Sequence, residues 1–188
     1  MARRAGPSDT TTYVALLRGV NVGGNRKVPM ARLRECLDAL GFTDVRTYLQ
    51  SGNAVFRAPT APTGEVAAQI QEALAEEFGF DVPTVVLTGA ELAQVAASNP
   101  YPEVESEPTK LVVSFLPAPV SAKVSAGFDL SDLPERGQVG DRVVYLHYPE
   151  GQGVSKLVPA MLERRLGGIW GTARNWRTVT ELLALATD

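Results

Sequence analysis

The order of the elements constrains this chain more than anything else in its sequence, because the same pattern can be read off twice. Tyr13 to Arg18 is a short, nearly continuous apolar run, the signature of a strand covered on both faces. A loop rich in Gly and Asn follows over residues 19 to 29, and then Met30, Leu33, Leu37 and Leu40 recur at helical spacing up to Gly41, a C-terminal stop. Val45 to Gln50 and Ala54 to Arg57 read as strands joined at Ser51-Gly52-Asn53, residue types that tolerate a tight turn. Val66, Ile70, Leu74 and Phe78 mark a second helix ended by Gly79, and Val82 to Leu87 returns as a strand. The order is β-α-β-β-α-β.

Thr88 and Glu91 have the spacing of a capping box and open a short helix through about Ala97. The stretch Ser98 to Pro108 holds three prolines and three glutamates with little to bury, and marks a linker. The order then begins again. Lys110 to Leu116 is a strand, Val120 to Phe128 a weak helix, and Val139 with Val143 to Tyr148 a hairpin turned at Gly140-Asp141. Ser155 to Leu166 reads as a helix, Ile169 to Ala173 as a short strand, and Trp176 to Ala186 as a closing amphipathic helix. The expected fold is therefore α+β, two tandem ferredoxin-like βαββαβ subdomains with antiparallel sheets and helices on one face. The expected limits are a disordered tail over 1–12, a first subdomain over 13–97, a linker over 98–108 and a second subdomain over 109–188.

Charge narrows the function classes. The formal net charge is −3 over 188 residues, and neither half is basic: residues 1–97 hold nine basic and ten acidic residues, residues 98–188 nine and eleven. A domain held to nucleic acid by bulk electrostatics normally shows a strong basic excess. The one cysteine, Cys36, rules out an internal disulfide and sits at helical spacing with Leu33, Leu37 and Leu40, as a core thiol does. The N-terminus lacks an apolar signal core, and no run reaches the ~18 apolar residues of a transmembrane helix, so a cytoplasmic protein without membrane contact is expected.

Two segments, Leu17-Arg18-Gly19-Val20-Asn21-Val22-Gly23-Gly24 and Thr47-Tyr48-Leu49-Gln50-Ser51-Gly52-Asn53, resemble the hallmark of the bacterial domain-of-unknown-function 1697 family. Ser155-Lys156-Leu157 and Thr172-Ala173-Arg174-Asn175-Trp176 are similar to that family's C-terminal motifs. The resemblance implies a whole-chain protein of two ferredoxin-like subdomains, and it implies no reaction.

Functional candidates have to come from residue types. Gly19 to Arg26 lies between a strand and a helix, as a phosphate loop does, but Asn25 stands where the lysine of that motif belongs and Arg26 where its hydroxyl belongs. A softer reading is an anion held on backbone N–H groups, beside Arg18, Arg26, Lys27, Arg32 and Arg34, a span free of acidic residues. Gly151-Gln152-Gly153-Val154-Ser155-Lys156 would place a helix N-terminus next to a lysine, and Arg174 with Arg177 offers guanidinium groups for bidentate contacts. The competing reading of each is architectural: Ser155 as a helix cap, Ser51 and Asn53 as turn formers, Trp176 as core, Glu103, Glu105 and Glu107 as a solvated run. The lone His147 argues against a catalytic triad or a zinc site, and neither metal nor cofactor is expected.

The leading expectation is a site between the subdomains for a phosphate- or carboxylate-bearing small molecule. It would use Arg18, Asn21, Gly23, Gly24, Asn25, Ser51, Asn53, Ser155, Lys156, Arg174 and Asn175. RNA binding on the sheet surface and a scaffold without a ligand are the alternatives. An enzyme using the same site stays open, since no nucleophile or base can be named, and oligomeric state is not legible.

Overall fold

The computed structural model describes residues 9–188, and most of the anticipated tail lies outside them. Thr10 and Thr11 do not belong to a tail. They begin β1 (Thr10–Leu17), which pairs with β3 as far as Thr10↔Pro59. The chain divides into two compact units, one reaching Glu91 and including 184–188, the other Leu92–Leu183.

The first unit runs β1, α1 (Met30–Ala39), β2 (Thr43–Tyr48), β3 (Asn53–Pro59), α2 (Thr63–Phe78) and β4 (Thr84–Thr88). Its sheet has the order β2-β3-β1-β4 with antiparallel pairs throughout, the split βαβ arrangement. Alternation along β1 divides its side chains. Tyr13, Ala15 and Leu17 join Leu33 and Leu37 of α1 and Ile70 and Leu74 of α2 in one core, where Phe42 stacks on Phe56 at 4.7 Å between ring centroids. Val14 and Leu16 point the other way and are buried as well, as the unbroken apolar run requires. Gly79 ends α2 in the left-handed conformation.

The second unit repeats the topology with shorter helices: α3 (Gly89–Ala97), β5 (Leu111–Phe115), α4 (Ala122–Ala126), β6 (Arg136–Val139), β7 (Val143–His147), α5 (Pro159–Arg165), β8 (Thr172–Asn175) and α6 (Trp176–Thr187). The sheet order is β6-β7-β5-β8, again antiparallel. The capping box that opens α3 is formed: Thr88 N donates to Glu91 Oε2 at 2.7 Å and Glu91 N to Thr88 Oγ1 at 3.1 Å. From Leu92 onward, however, the helix belongs with the second unit, and Tyr145 donates its hydroxyl to Val95 O at 2.8 Å. The last residues of α6 belong with the first. Residues 98–108 are also more than a connector. A 3-10 turn over Pro102–Val104 buries Val104, and Tyr101 lies under the Arg136 guanidinium at 4.7 Å.

Candidate functional site

Two of the motif segments meet at one end of the first sheet. β1 ends at Leu17, whose N–H donates to Gly52 O at 2.8 Å in the turn between β2 and β3. Asn21, in the loop that follows β1, adopts a φ of +57° and binds in three directions. Its Nδ2 donates to Val28 O at 2.9 Å and to Gln50 O at 2.6 Å, and its Oδ1 accepts from Val28 N at 2.9 Å. One amide thus closes its own loop and stitches it to the turn. Gly52 lets the two approach: at its φ of +79° an added Cβ would stand 2.7 Å from Leu17 Cβ and 2.8 Å from Val20 Cγ2. Asn53 is buried and donates to Tyr48 O and Ser51 Oγ, holding the turn from inside.

The glycines shape this loop differently from an anion nest. Gly23 and Gly24, at φ +62° and +79°, are the centre of a two-residue turn bridged between Val22 and Asn25, where Asn25 N donates to Val22 O and Asn21 N to Arg26 O. A nest alternates right- and left-handed residues, and here both are left-handed. The basic span is also largely engaged within its own unit. Arg26 donates to Asp81 O and lies 5.4 Å over the Phe80 ring. Arg32 pairs with Glu35 and Glu77, and Arg34 reaches Thr47 Oγ1 at 2.6 Å. Arg18 is half-buried and Lys27 exposed.

In the second unit Ser155 is not a helix cap. α5 starts at Pro159, as proline at the first helical position favours, and Val158 precedes it without a side-chain cap. The Ser155 hydroxyl accepts from Leu157 N at 2.9 Å and donates to Glu135 Oε1, so it ties the 151–158 loop to the start of β6. Glu135 is 6% exposed, and its Oε2 has no hydrogen-bond partner. Lys156 is exposed on this strap. Arg174 shares a face of β8 with Thr172 and lies opposite Val113 of β5. The residue is 8% exposed, and its guanidinium donates through Nη1 to Thr172 Oγ1 at 2.8 Å and Ala173 O at 2.9 Å. Burial pulls it down to about 10, which leaves it a cation at neutral pH. Asn175 caps α6: its Oδ1 accepts from Thr178 N at 3.0 Å. Trp176 is buried, as a core residue.

The other reactive types are held structurally. His147 accepts from Arg136 Nε at 3.2 Å, and Arg136 also pairs with Glu103 at 2.7 Å. Cys36 is half-buried, and desolvation raises its thiol above its ordinary value. Among the described residues no group of three or more His, Cys, Asp or Glu could hold a metal ion, and no helix is long and apolar enough to cross a membrane. One concavity escaped sequence reasoning altogether. An open groove of about 650 Å³ lies on the first unit between β2–β3 and the end of α6, lined by Thr12, Asp44, Arg46, Arg57 and Thr187. Arg46 donates there to Leu185 O.

A family model described as "Protein of unknown function (DUF1697)" matches residues 10–145. Among solved structures, a conserved bacterial protein from Streptococcus pneumoniae is similar at a TM-score of 0.72 and 21% identity, over 95% of this chain and 99% of that one. At that identity the likeness shows the fold. No curated protein matches.

Proposed function

We propose, on the premise that this chain belongs to the family described as "Protein of unknown function (DUF1697)", that it binds a small molecule carrying a phosphate or carboxylate group. The observation that carries the reading is the meeting of two motif segments in the first unit. The Asn21–Gln50 and Leu17–Gly52 hydrogen bonds gather Arg18, Asn21 and Ser51 at one sheet end. Strain supports it. Asn21 and Arg26, both in the loop after β1, are non-glycine residues at positive φ, a conformation that collects at ligand clamps. On the second unit the candidates are Arg174, since a buried guanidinium attracts an anion more strongly than an exposed one, and Lys156, a cation exposed on the 151–158 loop.

The test is thermal shift with inorganic phosphate, nucleotides, sugar phosphates and polyphosphates, repeated on Arg18→Ala, Lys156→Ala and Arg174→Ala. Stabilisation by at least one anion class, weakened by added salt and by loss of a named cation, is expected. No stabilisation by any of them refutes the reading. RNA stacking on the sheets is less well supported, since the aromatic residues on the relevant face of the second sheet, Phe115 and Tyr145, are buried.

A further inference from the structure

Four large apolar side chains are exposed among the described residues: Val22 at 69%, Leu49 at 55%, Val154 at 74% and Val158 at 49%. A few scattered exposed aliphatics are ordinary on a soluble surface, so their number means nothing. Their positions are another matter. Val22 lies between Asn21 and Gly23, and Leu49 two residues before Ser51. Val154 and Val158 bracket Ser155 and Lys156 on the strap. Every one is within two residues of a residue named above for anion binding, on both units.

Leu49 makes the point most sharply, because it combines two costs. Its backbone is left-handed, at φ +56°, where a leucine is strained, and its side chain is turned into water. An asparagine would serve the same turn with less strain and no apolar exposure. Val22 sits just outside the two-glycine turn, whose tight reversal holds it at the tip of the loop. The Asn21–Gln50 hydrogen bond ties together the two loops that carry this pair.

We infer that the ligand is an amphiphile, a phosphate or carboxylate on an aliphatic body, taken up as a soluble monomer whose apolar part packs on Val22 and Leu49 or on Val154 and Val158. This rests on the anion-binding reading and deepens it. The aliphatic choice follows from the side chains themselves: stacking on a purine or pyrimidine favours aromatic platforms, and none of the four is aromatic. Valine and leucine reward apolar area without regard to its shape.

The experiment is a chain-length series of n-alkyl phosphates, ethyl to octyl, each kept below its micelle concentration, with inorganic phosphate as the headgroup alone. Alkyltrimethylammonium salts of equal length serve as the charge control, and phosphatidylglycerol vesicles as the lipid-surface arm. Affinity should rise up to about fourfold per methylene until the chain outruns the patch, and the ammonium series should not bind. Leu49→Ser and Val154→Ser, both at exposed positions, should show which pair is used by flattening that slope about tenfold in total at octyl phosphate while leaving inorganic phosphate binding unchanged. Phosphate binding with a flat slope overturns the amphiphile and leaves the anion site standing. Failure of every phosphate, short or long, removes both. Vesicle binding without a monomer slope replaces the soluble ligand by a lipid surface and overturns the proposal, as does a slope that survives both serine variants.

Discussion

Gly52 and Gly24 provide a controlled experiment inside one molecule. Both have a φ of +79°, so an alanine at either pays the same left-handed strain, about 1 to 2 kcal/mol. Either substitution also recovers roughly 0.4 to 1 kcal/mol by restricting the unfolded chain. Only the surroundings differ. An added Cβ at Gly24 meets nothing within 4 Å, whereas at Gly52 it meets Leu17 Cβ at 2.7 Å and Val20 Cγ2 at 2.8 Å. The Leu17 Cβ cannot swing away, since it is fixed by its backbone and Leu17 is hydrogen-bonded to Gly52 itself, and the buried Val20 methyl can yield only by leaving its rotamer. Overpacking of this kind costs about 1 to 3 kcal/mol. The prediction is that Gly24→Ala loses at most about 1.6 kcal/mol, while Gly52→Ala loses about 1 to 3 kcal/mol more. For a chain of this length that difference lowers Tm by roughly 2 to 12 °C beyond the Gly24 variant. Urea unfolding followed by circular dichroism, with m unchanged between variants, reads it directly. If the two variants agree to within about 0.5 kcal/mol, or Gly24→Ala is the worse, the close approach of turn and strand does not fix this loop end and the reasoning fails.

Other predictions follow from the second unit. Ser155→Ala should cost about 2 to 3 kcal/mol, because Glu135 would keep a buried carboxylate with neither oxygen bonded, and adding Glu135→Met should restore most of it in a double-mutant cycle by chemical denaturation. Asn175→Ala should lose about 1 kcal/mol through its cap while Asn175→Asp keeps the stability, which denaturation midpoints will show. Burial pushes Tyr145 and Tyr148 up to about 12. In the unfolded chain they ionise near 10, so both contribute stability below about pH 10 that is lost as pH rises toward 12. The tyrosinate absorbance lost in Tyr145→Phe and Tyr148→Phe should develop across the same window in which the unfolding midpoint falls, and its appearance near pH 10 in the folded protein would contradict their burial.

What the sequence revealed was what short stretches decide. Thr88 and Glu91 satisfy each other three residues apart, and Gly79 stops its helix where the apolar spacing ends, so both were readable. Neither a ligand contact nor a helix cap, the two readings open for Ser155 in the sequence, points to its partner Glu135, which lies twenty residues upstream and is presented only by folding. The 650 Å³ groove was invisible for the same reason: Arg46 lies beside a bulge after Thr43, and its partner Leu185 comes from the far end of the chain. The glycines of the first motif announced a turn, but not that Gly23 and Gly24 would both be left-handed, which is the difference between a hairpin tip and an anion cradle. Nothing in its neighbours foretold that Leu49 would be strained and exposed.

The membership of 184–188 in the first unit has a consequence for how the chain is made. A ribosome that has finished β4 has made every strand of the first sheet but not yet the residues that line the groove beside β2 and take up the Arg46 guanidinium. Synthesis runs at about 5 to 20 residues per second, so for several seconds that half is exposed without its closing piece. Its folding is completed by residues made only after every strand of the second sheet.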